Sequence, residues 1–408
     1  MKLLNRLAKK INYIKSLIKL FPGYLGRLRL FYSTRKFGNN EISIYVYLKE
    51  KELFVEPSHG RYLYLFLNFL TTDANKVALL NSFSLFDYHQ MGKYGRLLYK
   101  LNNLIFARTT PQKTENKILV LDTVSEKLIS RNWKKVIHIN YNIAELISAS
   151  SNAFGKESPK RSVVMPYTMH PNRYIFQDVE RIECLRQNKR CIRLFFAGNS
   201  KNQTHARPRT LEIFNKFGIL SRPDIISTIK SNFPNEKDVP TDFLDLQRLI
   251  HGGKVFKYLI LSSDQFRIPH KNYFDFLSRC DFFVCAPGAF MPLCHNLIES
   301  MSIGTIPLIN YGECFFPKLK DMETCIKFSD QEDLIQKINI VLDMDQPTIE
   351  NLRNNVISYY NKFLSPEAFM DRLIGHNESN ISLFLPYVKI DSDLSQTETF
   401  LEWVSSNK

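Results

Sequence analysis

Apolar residues fall into two kinds of pattern along the chain. Between residues 2 and 21, Leu3, Leu4, Leu7, Ile11, Ile14, Ile18 and Phe21 recur at three- and four-residue steps, which predicts an amphipathic helix. Pro22-Gly23 is expected to end it. From Glu41 onward the apolar residues instead form short, nearly continuous runs. They lie at 41–48 (EISIYVYL), 77–81, 118–122, 136–140 and 162–165, and then at 192–196, 256–263, 281–286, 305–310 and 326–328. Such runs predict strands buried on both faces. Helical patterns separate them, at YLYLFLNFL after the turn EPSHGR, and at 94–107, 125–129, 143–150, 270–277, 295–302, 330–342, 348–363 and 366–374.

Strands alternating with helices predict an α/β chain with parallel sheets. The polar stretch 221–253 reads as an excursion and loop, and 166–190 as a connector between two halves. Four segments follow: a basic amphipathic segment at 1–40, a Rossmann-like domain at 41–180, a second at 190–375, and a tail or helix at 376–408. The tail is expected to return to the first domain or to be loosely held. No internal repeat appears.

Length and composition fit this division. The chain has 408 residues, 44 % hydrophobic and 13 % aromatic, enough for two sizeable cores. Seven cysteines, an odd number with no C-x-x-C pair, suggest reduced thiols and a cytoplasmic location. Neither a cleavable leader nor a run of eighteen uncharged apolar residues is evident. Of the net charge of +15, ten units come from Lys and Arg in residues 1–40, where no acid occurs. A nucleic-acid enzyme would spread that charge over a groove lined with aromatics, so nucleic acid is not expected as a partner. An acid-free amphipathic helix suits the inner face of an anionic membrane, with each basic residue contributing about 1 kcal/mol. The alternative is an apolar stripe packed on the protein's own core.

The chemistry points to residues 281–312, DFFVCAPGAFMPLCHNLIESMSIGTIPLINYG. It reads as a strand, a loop with Gly288, a helix from His295 carrying Glu299, Gly304, and a second strand. A ligand crevice is expected at the carboxyl end of such strands, beside free helix N–H groups, with Glu299 directed at the ligand. The run 192–196 leads into AGNSKNQTHARPRTLEIF, where Gly198 makes a tight turn and Arg207 and Arg209 precede a helix. Arginine supplies the charge and the forked donors that a pyrophosphate requires. Either of the two could do so. Ser263, at the end of the 256–263 run, would face the same crevice.

Residues 190–375 resemble the nucleotide-sugar-binding domain of GT-B glycosyltransferases, most closely the exostosin-like branch. The apolar strand ending in Pro287, Glu299 on its helix and the strand Gly304–Ile309 carry the resemblance. The branch's usual Arg, three residues before the Glu, is Asn296 here, beside His295. The resemblance implies two Rossmann-like domains facing across a cleft. It also implies a UDP-, GDP- or CMP-linked sugar donor and a glycan or glycolipid acceptor in surface polysaccharide biosynthesis. In retaining members a second Glu lies eight residues before the first. Met291 occupies that position here, which favours inversion.

An inverting transfer needs a base for the acceptor proton. His59 in EPSHGR, and His89 and Asp87 in FDYHQMG, are the candidates, read as loop residues of the first half. His138, inside an apolar strand, reads as a core histidine. No metal is expected, because the D-x-D triplet Asp391-Ser392-Asp393 lies in the tail and the histidines lack zinc spacing. The competing reading is a non-catalytic sugar- or nucleotide-binding protein on the same fold.

Overall fold

The computed structural model describes residues 11–25 in part and 41–140 with short gaps (50–51, 56, 73–74, 82–86, 88–89, 108–109 and 124). It also describes 162–199, 205, 207–234, 240–262, 266–385 and 394–406. The chain forms two compact units. One comprises Met1–Asn142, Gly155–Met165 and Met370–Lys389, and the other Ile143–Phe154, Pro166–Phe369 and Ile390–Lys408. The strands in chain order are β1 (Ile42–Tyr47), β2 (Lys76–Leu79), β3 (Leu104–Phe106), β4 (Ile118–Leu121), β5 (Lys135–Asn140), β6 (Ser162–Val164), β7 (Ile192–Gly198), β8 (Phe256–Ser262), β9 (Cys280–Val284), β10 (Ile306–Ile309), β11 (Ile326–Lys327) and β12 (Asn380–Phe384). Two parallel sheets result, as the alternating pattern predicts.

The first unit holds a seven-stranded sheet in the order β3-β2-β1-β4-β5-β12-β6. Leu119 and Leu121 of β4, Ala78 of β2 and Val136 of β5 form a core with Tyr45 and Trp133, whose rings lie 5.7 Å apart. The helix α1 (Pro57–Leu70) begins earlier than its apolar run, at the EPSHGR segment read as a turn. Residues 94–107 are not one helix. Lys93–Leu97 is helical, and the apolar triplet Leu104–Phe106 pairs with β2 as an edge strand. A three-residue apolar run carries no periodicity to tell the two states apart. The helix expected at 143–150 lies outside the described residues.

The tail supplies β12, which no sequence pattern suggested. It inserts between β5 and β6, pairing with both in parallel. Lys135, buried at the start of β5, donates to the carbonyls of Ile374 and His376, each at 2.6 Å. Its ammonium thus satisfies the chain end of the helix Pro366–Ile374 just before β12.

The described residues between 11 and 25 are helical, and the expected helix end at Pro22-Gly23 falls where Gly23 and Tyr24 lie outside the described residues. Ile11, Ile14, Ile18, Phe21 and Leu25 are between 44 and 66 % exposed. These five side chains are therefore not packed on the protein's own core. Among the described residues, no helix is long and apolar enough to cross a membrane.

The second unit holds a five-stranded sheet in the order β11-β10-β9-β7-β8. Every residue of β9 and β10 is buried, which parallel strands covered on both faces require. Its helices include α2 (Pro171–Ile175), α3 (Pro208–Lys216), α4 (Arg222–Asn232), α5 (Phe243–His251), α6 (His270–Leu277), α7 (His295–Ser302), α8 (Gln346–Tyr359) and α9 (Ser395–Ser406). Two of these, α4 and α5, occupy the stretch read as loop. Ser221 caps α4 by accepting from the Asp224 N–H, and Asp242 caps α5 through the Asp245 N–H. The presumed connector 166–190 is part of this unit and includes α2. Gly304 ends α7 with φ +74°, where a Cβ would meet Ile357 of α8 at 2.8 Å. The last helix, α9, packs within the second unit. Its Trp403 ring lies 5.0 Å from that of Phe316, and Glu398 accepts from Arg209 and Lys216. The element that returns to the first unit is therefore β12, and the final helix stays with the second.

Candidate functional site

In the second sheet β7 has β8 on one side and β9 on the other. Successive connections leave in opposite directions there, opening a crevice outside the carboxyl ends of β7 and β9. Gly198 and Asn199 stand at the exit of β7, and Ala286 and Pro287 beyond the end of β9. Arg222 joins the two. From the first turn of α4, 7 % exposed, it donates Nη1 to the Asn199 carbonyl at 3.3 Å. Its Nη2 reaches the Ala286 carbonyl at 3.2 Å and its Nε the Pro287 carbonyl at 3.1 Å. Nη2 also lies 3.6 Å from Cys294 Sγ, one residue before α7. A planar fork spreads its donors over a wider span than the single nitrogen of an ammonium, which suits carbonyls on two separate strand exits.

The guanidinium charge at this point is surrounded by carbonyl oxygens. His205, 8 % exposed, feels it. Burial and the Arg222 charge pull its imidazole down to about 4, so it is neutral at physiological pH. Its Nδ1 is buried without a hydrogen-bond partner.

The loop after β9 folds back tightly. The Gly288 N–H donates to the Pro292 carbonyl at 3.2 Å, and a Cβ on Gly288 would stand 2.6 Å from the Met291 carbonyl oxygen. Only glycine fits there. The turn presents Phe290, and the Arg207 guanidinium lies 4.4 Å from the centre of its ring. Arg207 is exposed at the start of α3, so the loops after β7 and β9 meet through this pair. Arg209, two residues on, is bound instead to Glu212 at 2.9 Å and Glu398 at 2.7 Å.

Glu299 differs from expectation in its orientation. It is 2 % exposed and accepts from the His170 N–H at 3.1 Å, with Arg173 Nε 3.7 Å from the same oxygen. Arg173, 1 % exposed, donates Nη1 to Asp178 at 2.7 Å and Nη2 to the His270 carbonyl at 2.6 Å. Two buried carboxylates thus share one guanidinium. Burial raises the Glu299 carboxyl to about 7, against the lowering effect of Arg173 and the His170 N–H, while Asp178 adds to the rise. Burial raises Asp178 as well, with Arg173 opposing. Glu299 is turned inward because residues 166–181, assigned to a connector, fold over α7 and bring their own cation.

Three imidazoles meet beside this network. The His170 ring lies 5.9 Å from that of His270, nearly parallel, and 5.1 Å from that of His295, tilted by 60°. His170 Nδ1 accepts from the Asn172 N–H at 3.1 Å and caps α2. Its neutral form therefore carries the proton on Nε2. His295 opens α7, with half-buried Asn296 next to it.

The remaining candidates lie elsewhere. Ser263 and His89 fall outside the described residues. His59 is the third residue of α1 rather than a loop residue, and Asp87 is helical and half-buried, both in the first unit. His138 lies in β5, where burial lowers its pKa. Arg222, Arg173, His205, His170 and His270 were missed, because the first two sat in stretches read as loop and connector. The cap sequence S-R-P-D at Ser221 was the available signal for α4.

No protein family and no curated protein matches the chain in sequence. Solved structures similar to it include Anabaena HepE in complex with UDP and glucose, at 10 % identity and a TM-score of 0.39, covering 82 % of this chain and 98 % of that one. A glycosyltransferase from Rickettsia africae is similar at 11 % identity and a TM-score of 0.30, covering 82 % and 97 %. The pneumococcal O-GlcNAc transferase GtfA in complex with UDP and GlcNAc is similar at 10 % identity and a TM-score of 0.29, covering 65 % and 57 %.

Proposed function

We propose that this chain is a GT-B glycosyltransferase that moves a sugar, with inversion, from a nucleotide-sugar donor to a glycan or glycolipid acceptor in surface polysaccharide biosynthesis. The observation that carries the reading is the crevice at β7 and β9, where the Arg222 guanidinium, a glycine turn and a helix start converge. A departing nucleoside diphosphate needs positive charge and N–H donors at such a point. In this reading Arg207, the first N–H groups of α7, His295 and Asn296 contact the diphosphate and sugar. Gly198 and Gly288 line their approach, Arg209 adds charge at longer range, and Ser263, outside the described residues, keeps the donor-binding role expected of its sequence position. Glu299 acts as a positioning residue that holds residues 166–178 against α7. No metal is used.

The acceptor hydroxyl attacks the anomeric carbon from the side opposite the nucleotide. The bond to the diphosphate breaks, and the hydroxyl proton goes to a base, one of His59, His89 or Asp87. The enzyme works from the cytoplasm, peripherally on the inner face of the membrane. The exposed stripe Ile11, Ile14, Ile18, Phe21 and Leu25, flanked by Lys15 and Lys19, supports that placement.

Thermal-shift screening against UDP, GDP, CMP and dTDP, followed by hydrolysis of the matching sugar donors, tests the reading. Stabilisation by one nucleotide and release of its sugar are expected. A chain that neither responds to any nucleotide nor turns over any donor is not a glycosyltransferase.

A further inference from the structure

The last helix, α9, connects no two strands of the second sheet. It and the residue before it bury Leu394, Thr397, Phe400, Leu401, Trp403 and Val404, a stripe at three- and four-residue steps. Ser395, Glu402 and Ser406 are exposed. Apolar burial therefore docks the helix, and its acids set where it sits.

Two neighbours receive it. On one side the Trp403 ring lies 5.0 Å from that of Phe316, which follows the helical turn Gly312–Cys314 beyond β10. On the other, Glu398 accepts from Arg209 Nη2 at 2.7 Å and from Lys216 Nζ at 2.9 Å, and Glu402 accepts from Lys216 at 2.8 Å. Arg209 and Lys216 stand about two turns apart on α3. In the sheet, β10 and β7 flank β9. Helix α9 thus ties the connection that leaves β10 to the helix that follows β7.

The first turn of α3 is attached in two directions. Toward the β9 loop, Thr210 Oγ1 donates to the Ala289 carbonyl at 3.2 Å, and the Arg207 guanidinium lies over Phe290. Toward α9, Arg209 reaches Glu398. Arg207 and Arg209 are two residues apart, so any shift of α3 against α9 moves Arg207 relative to the Gly288 turn.

We propose that α9 is a brace on the crevice, and that Glu398 is the positioning residue through which it holds Arg207 in place. The consequence for a nucleotide rests on the glycosyltransferase reading, whereas the coupling of α9 to α3 does not. Glu398 is the shared member of the contact. It serves two cations of one helix, so its loss removes a bond from each. Arg209→Ala leaves Lys216 on Glu398 and disturbs the brace less.

The test uses the full chain and two readouts. Hydrogen exchange follows residues 207–216 and 287–292 in Glu398→Lys, which sets a like charge against Arg209 and Lys216, and in the milder Glu398→Gln. Exchange in both segments should quicken at least about threefold in Glu398→Lys and by less in Glu398→Gln, with β12 unchanged. Adding Lys216→Glu to Glu398→Lys should recover at least about half of the change, because one opposite-charge pair returns.

The second readout is Kd for UDP, GDP, CMP and dTDP. For the nucleotide that binds most tightly, Glu398→Lys should raise Kd about fivefold. Exchanging an acid for a base near an anion would by charge alone tighten binding, so weaker binding reports position. In an Arg207→Ala background the same change should raise Kd less than about twofold, since the side chain it positions is gone. Equal weakening in both backgrounds would overturn the proposal. So would exchange at 207–216 that is unchanged in both Glu398 variants. Faster exchange in a chain whose parent binds none of the four nucleotides would keep the brace and count against the glycosyltransferase reading.

Discussion

Arg222 Nε donates to the carbonyl oxygen of Pro287 at 3.1 Å, joining the first turn of α4 to the loop that follows β9. With its other nitrogens on Asn199 and Ala286, the side chain ties together the two strand exits that bound the crevice. Arg222→Ala leaves three carbonyls without this donor. It should cost about 3 kcal/mol in urea unfolding, because buried acceptors lose a charge-assisted partner. Arg222→Lys should recover less than half, since the single nitrogen of an ammonium covers a narrower span. An alanine variant within about 1 kcal/mol of the parent would show that the side chain does not hold the crevice together.

Glu299 makes stability depend on pH. Folded, it keeps its proton up to about pH 7, against a normal value of 4.5. Between those values the folded chain binds more protons than the unfolded one, so this contribution to stability is present at low pH and disappears as pH rises through 7. The span corresponds to at most about 3 kcal/mol. Glu299→Gln still accepts from the His170 N–H and does not titrate. The wild type should therefore lose stability relative to the variant between about pH 5 and about pH 8. Parallel stability profiles for the two chains would place the titration elsewhere.

Arg207 and Arg209 separate by their partners. Arg207 lies on Phe290 in the β9 loop, whereas Arg209 is held by two glutamates. Arg207→Ala should raise the donor KM about tenfold, as loss of one charge-assisted contact does, while leaving unfolding free energy nearly unchanged. Arg209→Ala should change KM less than threefold. Equal effects would assign the phosphate contact to both side chains or to neither.

The exposed stripe of the N-terminal helix predicts vesicle binding. Ile14→Asp together with Ile18→Asp should lower cosedimentation with phosphatidylglycerol-containing vesicles at least about tenfold, given about 2 kcal/mol for each buried isoleucine. Binding equal to the parent would remove the helix as the membrane contact.

Several features were legible from residues alone. The apolar runs at 118–122, 281–286 and 305–310 had to be buried strands, because continuous β-favouring residues cannot face water on either side. The helix from His295 to Ser302 was readable from its flanking loop and from Gly304, which adopts the positive φ that a helix end demands. The cap sequences of α4 and α5 were also present, but a polar composition concealed them.

Tertiary structure alone decided the rest. Asn380–Phe384 is five residues long with a mixed pattern. It became a strand because β5 and β6 offered unpaired edges, and hydrogen-bond demand is a property of neighbours in space. Glu299 was visible as a carboxylate on a helix. Its direction was set by Arg173, which comes from a different segment and balances the buried charge. The meeting of His170, His270 and His295, spread over more than a hundred positions of chain, exists only because the segments carrying them pack together, and no local pattern encodes such a contact.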